Sequence, residues 1–305
     1  MKVSVVIVTY NGIRWIEKVI NSIFSSTINL EIIIIDNNSS DETISVLKQY
    51  KEINLIESKT NLGFGKANNI GIKKAYESGA DYIFLLNQDA WGNSYTIENL
   101  IQAHLREPEY GVVSPMHLNG MGTGLDYNFS NYIVPAKCKN LYSDILLNSI
   151  QGKIYETEFV NAAAWLISRK CIETVGGFNP SFFHYGEDDN YVQRVKFHQF
   201  KVGVYPTSII YHDRLSNEKN DYFKAEKIIY SRSMILKISD PSNEYLFEKE
   251  YRKEYMLLFK GIILFRFKKI KEALWKIKVL NHLDKKQIII NKLESYKIQP
   301  SFLNL

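Results

Sequence analysis

Two amides and one carboxylate end a run of apolar residues at Asn87-Gln88-Asp89, within the stretch LLNQDAW. Oxygen ligands of these types suit a hard divalent cation, although such a site would hold fewer acids than is usual. The same residue types also favour turns. This stretch therefore predicts either a metal site or a polar turn. The strands and polar clusters in the rest of the sequence distinguish these alternatives.

Two further polar clusters end strand-like runs earlier in the chain. TYNG follows VSVVIV at residues 9–12, and DNNSSD follows EIIII at residues 36–41. Turns and helix N-caps favour these residue types, so each cluster alone has an ordinary structural explanation. Three such clusters on one edge would instead indicate a binding site.

Strand-like and helical patterns alternate through the first part of the chain. Runs rich in β-branched and other apolar residues occupy 3–9, 31–36, 54–58 and 81–87, with helical spacing of apolar residues between them. Strands that are apolar on both faces indicate a mostly parallel sheet sandwiched by helices, which is the doubly wound α/β class. Ligands of such folds bind beyond the carboxyl ends of the strands, so we expect the three polar clusters to share one cleft.

Composition and charge narrow the class of protein. The 305 residues, with 45% hydrophobic and 23% charged side chains, suit a folded α/β domain with an appendage. From residue 217 onward there are 19 Lys/Arg against 11 Asp/Glu, so with a net charge of +5 the preceding residues carry −3. An acidic body argues against nucleic-acid binding, whereas a basic tail suits an anionic surface. We expect no leader and no membrane span, and two cysteines without a CxxC pair fit a reducing cytoplasm.

Six stretches together carry a family resemblance that covers roughly residues 1–215. In their order and spacing the chain resembles the inverting family 2 glycosyltransferases of the GT-A fold, and among them the bacterial rhamnosyltransferase-like branch. The resemblance implies a Rossmann-like nucleotide-diphospho-sugar transferase domain at residues 1–216 and a helical appendage at 217–305. The stretches are VSVVIVTYNG, IIIIDNNSSDET, NLGFGKANNIGI, LLNQDA, NAAAWLISRKCIETVGGFNPSFFHYGEDD and YHDRLS.

The resemblance implies a nucleotide-sugar pocket around the polar clusters. The carboxylate of Asp36 would accept the ring N3–H of a pyrimidine, which favours UDP or dTDP as the nucleotide. A NAD site is disfavoured because GxGxxG spacing is missing after the first strand. The residues implied in nucleotide-sugar binding are Thr9, Tyr10, Asn11, Asp36, Asn38, Gly63, Gly65, Asn68, Asn87 and Gln88.

The resemblance also favours the metal site over the polar turn. The family carries Asp-x-Asp here, and its last acid binds a Mn²⁺ or Mg²⁺ ion that bridges the donor diphosphate. In this chain Asn87 replaces the first acid, and Asp89 keeps its charge. His212, in IIYHDRLS, matches a second metal ligand of the family, although ordinary hydrogen bonding also explains a histidine at a strand end.

The same resemblance assigns the catalytic base to Asp188, in the stretch GEDD. An inverting transfer needs one base to take the proton of the acceptor hydroxyl. Asp189 is the alternative base if the register slips by one position, and a helix start rich in acids is the structural explanation. Glu187 and Trp165 would line the acceptor site, and Trp165 suits the core equally well.

The tail at 245–280 alternates aromatic and aliphatic residues with Lys/Arg at helical spacing. Such a stripe packs on the catalytic domain or on a second subunit of a homo-oligomer, or it lies on an anionic membrane. The membrane alternative would place the protein at the inner face of the plasma membrane.

The predicted function is metal-dependent, inverting transfer of a hexosyl or deoxyhexosyl group in surface polysaccharide synthesis. The donor would be a UDP-sugar or dTDP-rhamnose, and the acceptor a hydroxyl of a glycan or lipid-linked saccharide. A catalytically inactive nucleotide- or glycan-binding homologue is the alternative that Asn87 raises. A sugar nucleotidyltransferase is disfavoured, because VTYNGIRWIE is too poor in Gly for its phosphate loop.

Overall fold

The computed structural model describes residues 1–150, 152–214 and 225–305. The strands in these residues are β1 Val3–Thr9, β2 Glu31–Asp36, β3 Ile53–Glu57, β4 Tyr82–Asn87, β5 Ala90–Gly92, β6 Tyr110–Asn119, β7 Tyr155–Glu156, β8 Ala164–Ser168 and β9 Lys201–His212. They form one sheet in the order β3-β2-β1-β4-β8-β6-β9-β5, and β7 pairs with β9.

Helices connect these strands and continue after them. Within the same residue ranges they are α1 Ile13–Phe24, α2 Thr43–Leu47, α3 Phe64–Glu77, α4 Thr96–Arg106, α5 Tyr127–Ser130, α6 Leu141–Leu146, α7 Arg169–Val175, α8 Glu187–Phe197, α9 Glu226–Ser239, α10 Phe247–Ile263, α11 Phe267–His282 and α12 Lys285–Glu294. The α/β alternation predicted for the first hundred residues is present.

The sheet is mixed, so the prediction of a mostly parallel sheet is wrong. Strands β3, β2, β1 and β4 are parallel to one another, as the alternation of strands and helices predicted. Strand β8 then runs antiparallel to both β4 and β6, and β5 and β7 run antiparallel to β9. A strand buried on both faces is an apolar run in either direction, so its sequence does not encode the direction of its pairing.

Helices cover both faces of the sheet. Successive residues of a strand point to opposite faces. Val6 therefore packs in one buried cluster with Ile72 of α3, and Val5 packs in a second cluster with Ile16 of α1. These two apolar layers hold the strand ends, and the loops that follow them, in fixed positions.

The strand register brings the polar clusters to one edge of the sheet. Thr9 pairs with Asp36 where β1 and β2 end. Asn87, the last residue of β4, lies beside the end of β1. Antiparallel pairing of β5 with β9 places Ala90 opposite His212. The three clusters therefore lie together at one edge of the sheet, and the end of β9 joins them there. We call the space between these loops the cleft.

Helices α9 to α12 form a helical region after the sheet, with a small buried cluster of its own made by Met234, Ile238, Phe247, Leu280 and Ile288. The end of the chain returns to the sheet, where Leu303 joins the core on the α3 face. The boundary predicted at residues 216 and 217 lies outside the described residues. None of the helices in the described chain combines the length and apolarity needed to cross a bilayer.

Candidate active site

Asp36 braces the loops that follow β1 and β2. Its side chain is completely buried. The carboxylate accepts hydrogen bonds from Thr9 Oγ1 at 3.0 Å and from Ser39, through the hydroxyl at 2.6 Å and the backbone N–H at 2.8 Å. A pyrimidine N3–H would have to share an oxygen that is already bonded within the protein. The contact between Asp36 and the base therefore stays a prediction.

Tyr10, Asn11 and Asn38 form an exposed rim above Asp36. Asn11 and Asn38 adopt left-handed backbone conformations, with φ of +48° and +70°, which asparagine tolerates better than most residues. Asn11 Oδ1 accepts a hydrogen bond from the backbone N–H of Ser40 at 2.8 Å, so the two loops are tied together. This rim is the part of the predicted nucleotide pocket whose side chains are open to a ligand.

Gln88 holds the first loop in place. Its side-chain Oε1 accepts from the backbone N–H of Tyr10 at 2.8 Å, and its Nε2 donates to the Tyr10 carbonyl at 3.1 Å. A Cβ on Gly12 would lie 2.3 Å from Gln88 Oε1, so only glycine leaves room for this pair of bonds. Gln88, predicted to bind the nucleotide sugar, therefore positions the exposed loop that carries Tyr10.

The glycine-rich turn before α3 packs against the loop that precedes α8. Gly63 has φ of +79°, and a Cβ there would lie 2.0 Å from the Phe183 carbonyl oxygen. Gly65 lies against Glu187. Asn68 is buried, and its Nδ2 donates to the Phe64 carbonyl at 3.0 Å within its own helix. The close approach that these positions allow is thus between protein segments, and a nucleotide contact there stays a prediction.

Asp89 and His212 meet at the end of β9, in what we call the histidine edge of the cleft: Asn87, Asp89, Asp126, His212 and Arg214. His212 Nε2 lies 3.2 Å from Asp89 Oδ1 and 3.5 Å from Asn87 Nδ2. The buried Asn87 Oδ1 has no hydrogen-bond partner among the residues that the structure describes. The two predicted metal ligands, Asp89 and His212, are therefore adjacent to each other and to Asn87, where the family's first acid is replaced.

Asp126 is a residue of this edge that the sequence analysis missed. Its Oδ2 lies 3.2 Å from His212 Nδ1 and accepts from Arg214 Nε at 2.7 Å, while its Oδ1 caps α5 through the Phe129 N–H at 2.8 Å. A carboxylate on the far nitrogen of a metal-binding histidine fixes the orientation of the ring. The spacing of an N-cap Asp before YNFS was the available signal, but it lies in a Gly- and Asn-rich stretch that reads as loop.

The charges of this edge compensate one another. Burial would raise the pKa of Asp126, but the His212 side chain, the Phe129 N–H and Arg214 together hold that pKa well below its usual range. Burial lowers the pKa of His212, but the hydrogen bonds with Asp126 and Asp89 outweigh burial, and the net shift is upward. The histidine edge thus keeps the Asp126 carboxylate ionised.

The opposite side of the cleft is an acid edge, formed by Glu187, Asp188 and Asp189 at the start of α8. Burial, reinforced by the charge of Asp188, raises the pKa of Glu187 to about 8. The same two causes raise the pKa of Asp189 to about 6. The pKa of Asp188 is also raised by burial, although backbone N–H groups oppose the shift. A carboxylate whose pKa moves toward neutrality is suited to accept a proton.

The residues just before β8 join the two edges. Asp188 accepts a hydrogen bond from the backbone of Ala162. The next residue, Ala163, accepts from the Asn87 N–H through its carbonyl at 2.9 Å. Burial raises the pKa of Tyr132 to about 12, and the charges of Asp188 on one side and of Asp126 and Arg214 on the other all act on this side chain. Asp188 and the histidine edge therefore face one cleft.

Trp165 does not line this cleft, so its predicted place in the acceptor site is wrong. The indole is completely buried in β8. It stacks on Phe178, with ring centroids 6.1 Å apart, and contacts Tyr191 of α8. AWLIS is an inner strand with every residue buried, so both of its faces point into apolar layers. Glu187, the other predicted acceptor residue, is 4% exposed and lies beneath the cleft surface.

The residues of the histidine edge suit a divalent cation only in part. No cluster of three or more His, Cys, Asp or Glu that could hold a metal occurs within the described residues. Asp89 and His212 offer two ligands of the right types, and the unpartnered Asn87 Oδ1 lies beside them. Phosphate oxygens and water readily complete the shell of such a cation. The donor set therefore fits a metal that arrives with a diphosphate.

The model of the family "Glycosyl transferase family 2" matches residues 4–175, which is more than half of the chain. The protein therefore belongs to glycosyl transferase family 2.

Curated relatives resemble the chain over part of their length. The low-salt glycan biosynthesis hexosyltransferase Agl10 of Haloferax volcanii is 28% identical over 209 residues, which are 66% of this chain and 63% of Agl10. The poly(ribitol-phosphate) beta-N-acetylglucosaminyltransferase TarS of Staphylococcus aureus is 27% identical over 52% of this chain and 28% of TarS. The chain thus spans less than two thirds of these relatives. Their names describe hexosyl and N-acetylglucosaminyl transfer, so the rhamnosyltransferase-like branch stays a prediction.

Two solved structures share the fold. TarS residues 1–349 of S. aureus, in complex with UDP, superpose with a TM-score of 0.52 at 17% identity, covering 97% of this chain and 91% of that one. GalNAc-T7 with UDP, GalNAc and Mn²⁺ gives a TM-score of 0.57 at 16% identity, covering 80% of this chain and 52% of that one. At these identities the likeness concerns the fold.

Proposed function

We propose that the protein is an inverting glycosyltransferase of glycan biosynthesis that uses a nucleotide-diphosphate sugar. The observation that carries the proposal is that one cleft holds two kinds of groups. Asp89 and His212 are residue types that bind divalent cations, and they lie 3.2 Å apart. The acid edge, where burial raises the pKa of Asp188, is linked to them through the backbone of Ala162 and Ala163. A donor needs charge neutralised at its diphosphate, and an acceptor hydroxyl needs a base. The two edges offer these two functions separately.

Asp188 is the base in this proposal. Its carboxylate takes the proton of the acceptor hydroxyl, whose oxygen forms a bond to the anomeric carbon of the donor. The bond from that carbon to the diphosphate breaks in the same step, and the electron pair leaves with the diphosphate. One displacement inverts the configuration, so the enzyme needs no nucleophile of its own. Burial of Asp188 raises its pKa and makes it a better proton acceptor.

Asp89 and His212 would hold a Mn²⁺ or Mg²⁺ ion, with Asn87 beside them. Such an ion supplies neutralisation of the charge that develops on the leaving diphosphate. Asp126 keeps the His212 ring oriented from the other side, so the Nε2 face stays toward the cleft. Tyr10, Asn11 and Asn38 offer contacts to the nucleoside, which we propose to be uridine or thymidine. The acceptor is a hydroxyl of a glycan or a lipid-linked saccharide.

The first test is ligand stabilisation. Thermal unfolding of the full chain is followed with UDP, dTDP, ADP and GDP, each with and without Mn²⁺. We expect the pyrimidine diphosphates to stabilise the fold more than the purine diphosphates, and Mn²⁺ to increase the effect. Equal stabilisation by ADP or GDP would remove the pyrimidine assignment. Tight Mn²⁺ binding without nucleotide, measured by calorimetry, would contradict a shell completed by diphosphate.

The second test is turnover. Release of UDP or dTDP is measured with a panel of UDP-sugars and dTDP-rhamnose and with saccharide acceptors. Activity that needs a divalent cation and inverts the anomeric configuration supports the proposal. The alternative that Asn87 raises is an inactive binding homologue, and it predicts nucleotide stabilisation with no turnover on any donor. Full turnover in excess chelator would overturn the role given to Asp89 and His212.

A further inference from the structure

The hairpin of α10 and α11 ends in an exposed apolar surface that we call the hairpin tip, residues 255–271. Eight large apolar side chains of this segment are more than half exposed, and Phe265 reaches 80%. Side chains of this kind usually turn inward, and contiguous exposed patches mark a surface that meets something else. The eight are Tyr255, Met256, Phe259, Ile262, Ile263, Leu264, Phe265 and Phe267.

The charges of the hairpin tip have one sign. Residues 255–271 contain five cationic side chains and no Asp or Glu, and all five are exposed. The nearest following acid, Glu272, is paired with Lys276 at 2.6 Å. The five cations are Lys260, Arg266, Lys268, Lys269 and Lys271.

The hairpin tip has a defined shape. The Arg266 N–H donates to the Gly261 carbonyl at 2.8 Å, and the Ile270 N–H donates to the Arg266 carbonyl at 3.1 Å. A Cβ on Gly261 would lie 3.0 Å from Ile270, so the two helices are in close contact at this point. Further from the turn, Tyr251 donates to Asn281 Oδ1 at 2.6 Å. The tip therefore has a defined turn that is held by backbone hydrogen bonds, and its large apolar side chains are exposed.

We propose that the hairpin tip docks on a phospholipid bilayer that carries anionic headgroups. Apolar side chains that penetrate to the headgroup level, ringed by Lys and Arg that meet anionic lipid, form the pattern of an interfacial anchor. A second copy of the chain is a poorer partner, since tip-to-tip contact would bring like charges together without an acid to balance them. Nucleic acid would attract the cations but would leave the apolar side chains in water. The anchor lies on the membrane, because none of the described helices is able to span it.

Helix α9 connects this anchor to the acid edge. Tyr230 of α9 packs edge-on against Trp275 of α11, with ring centroids 5.5 Å apart. Two residues further on, Arg232 lies against Gly186, immediately before Glu187, and its guanidinium is 5.3 Å from the Tyr185 ring. A docked hairpin would therefore hold the start of α8 at a fixed place relative to the bilayer. The docking itself does not depend on the proposed glycosyl transfer.

The test is flotation of the full chain with vesicles of phosphatidylcholine alone or mixed with phosphatidylglycerol, at low and high salt. We expect binding to the mixed vesicles that high salt weakens. Lys268→Glu/Lys269→Glu removes the cationic attraction, and Phe265→Ser/Phe267→Ser removes the apolar insertion. Each pair should reduce partitioning by about tenfold or more, since one basic residue near such a surface is worth roughly a factor of five and each variant changes two residues.

Two matched control variants lie outside the hairpin tip. Lys278→Glu/Lys286→Glu makes the same change in net charge at one exposed lysine of α11 and one of α12. Ile289→Ser/Ile290→Ser removes two exposed apolar side chains of α12. Both should partition as the wild type does. Circular dichroism and thermal unfolding check that every variant is folded.

Three results would overturn the proposal. Unchanged partitioning of both tip variants would show that the tip is not the anchor. Equal binding to phosphatidylcholine alone would remove the anionic preference. If sedimentation shows concentration-dependent association that Phe265→Ser/Phe267→Ser abolishes, without any vesicle binding, then the tip is a contact between copies of this chain.

Discussion

The two edges of the cleft treat buried carboxylates in opposite ways. At the histidine edge, Asp126 is surrounded by groups that stabilise its charge, and its pKa is held low. At the acid edge, Glu187 and Asp189 are crowded around Asp188, and all three pKa values are raised, with burial as the largest cause. Arg232 opposes the shift at Glu187 and Asp189 but does not cancel it.

This difference separates two chemical tasks within one cleft. The lowered pKa of Asp126 keeps a negative charge behind His212, which suits a site for a divalent cation. Carboxyl groups with raised pKa values hold a proton more tightly, which suits a group that must take one from a hydroxyl. The backbone of Ala162 and Ala163 keeps the two environments adjacent. The predictions below change one edge, or the core behind it, and name the property that should respond.

The largest effect is expected from Asp188→Asn. The amide keeps the shape of the side chain but cannot accept the acceptor proton, and loss of a general base typically lowers the rate by about 10²–10⁴-fold. Binding of UDP or dTDP, measured by titration, should hardly change, because the histidine edge is intact.

Asp189→Asn is the matched control for this experiment. It removes a neighbouring acid of the same cluster, and on a helix its side chain points about 100° away from that of Asp188. We expect it to retain most of the turnover. An inactive Asp189→Asn with an active Asp188→Asn would move the base by one position, and two active variants would place the chemistry outside the acid edge.

The second effect concerns Asp126→Asn at the histidine edge. Asparagine is also a good N-cap, so the α5 cap is kept while the negative charge beside His212 Nδ1 is lost. We expect Mn²⁺ affinity in the presence of UDP to fall by about 10–100-fold, the usual cost of losing a carboxylate behind a metal-binding histidine. Calorimetry with UDP present measures it.

Asp284→Asn controls for the loss of an N-cap carboxylate. Asp284 caps α12 through the Gln287 N–H at 3.0 Å, in the helical region. It should leave Mn²⁺ affinity unchanged. An equal loss in both variants would mean that Asp126 acts through general stability and not through His212.

The third effect is a change in the pH dependence of stability in Glu187→Gln. The pKa of Glu187 is raised from 4.5 to about 8 by burial and by the charge of Asp188. The folded state therefore favours the protonated acid, and this stabilisation is complete below pH 4.5 and lost as the pH rises toward 8. Glutamine mimics the protonated acid at every pH.

Relative to the wild type, Glu187→Gln should therefore gain stability as the pH rises through this range. We expect a relative gain of roughly 1–2 kcal/mol, because Asp188 and Asp189 take up part of the same titration. Denaturant unfolding at several pH values measures it. A constant difference between the two proteins would show that Glu187 does not hold a proton in the folded state.

Much of the fold was readable from the sequence, and the reason is visible in particular strands. β1, β2 and β4 are long apolar runs that end in polar clusters, so both their burial and the position of the cleft follow from local pattern. The direction of β8 did not follow, because AWLIS is equally apolar in both directions. Its pairing with β4 and β6 depends on residues distant in the chain.

The residues of the site also fall into two groups: those that sequence motifs predicted, and those whose roles depend on tertiary contacts. The positions of Asp89, His212 and Asp188 came from motifs, and the structure places them around one cleft. Gln88, by contrast, bonds the backbone of Tyr10, 78 positions away. Asp126 meets His212 only because the end of β9 lies beside the loop before α5. Such partners are set by tertiary contacts, which no local spacing records.

The smallest effect is expected from Trp165→Phe, which tests whether the aromatic layer behind the acid edge has more than a packing role. Trp165 is completely buried and stacks on Phe178, whose Cβ lies close to Gly65 beside Glu187. Replacing indole by phenyl keeps an aromatic ring but removes volume, so we expect a loss of stability of about 1–2 kcal/mol. The acceptor KM should not change, because no atom of the indole reaches the cleft. Unfolding measurements and acceptor titrations on the same preparation separate the two results. A raised acceptor KM at unchanged stability would return Trp165 to the acceptor site and would mean that the acid edge opens when the acceptor binds.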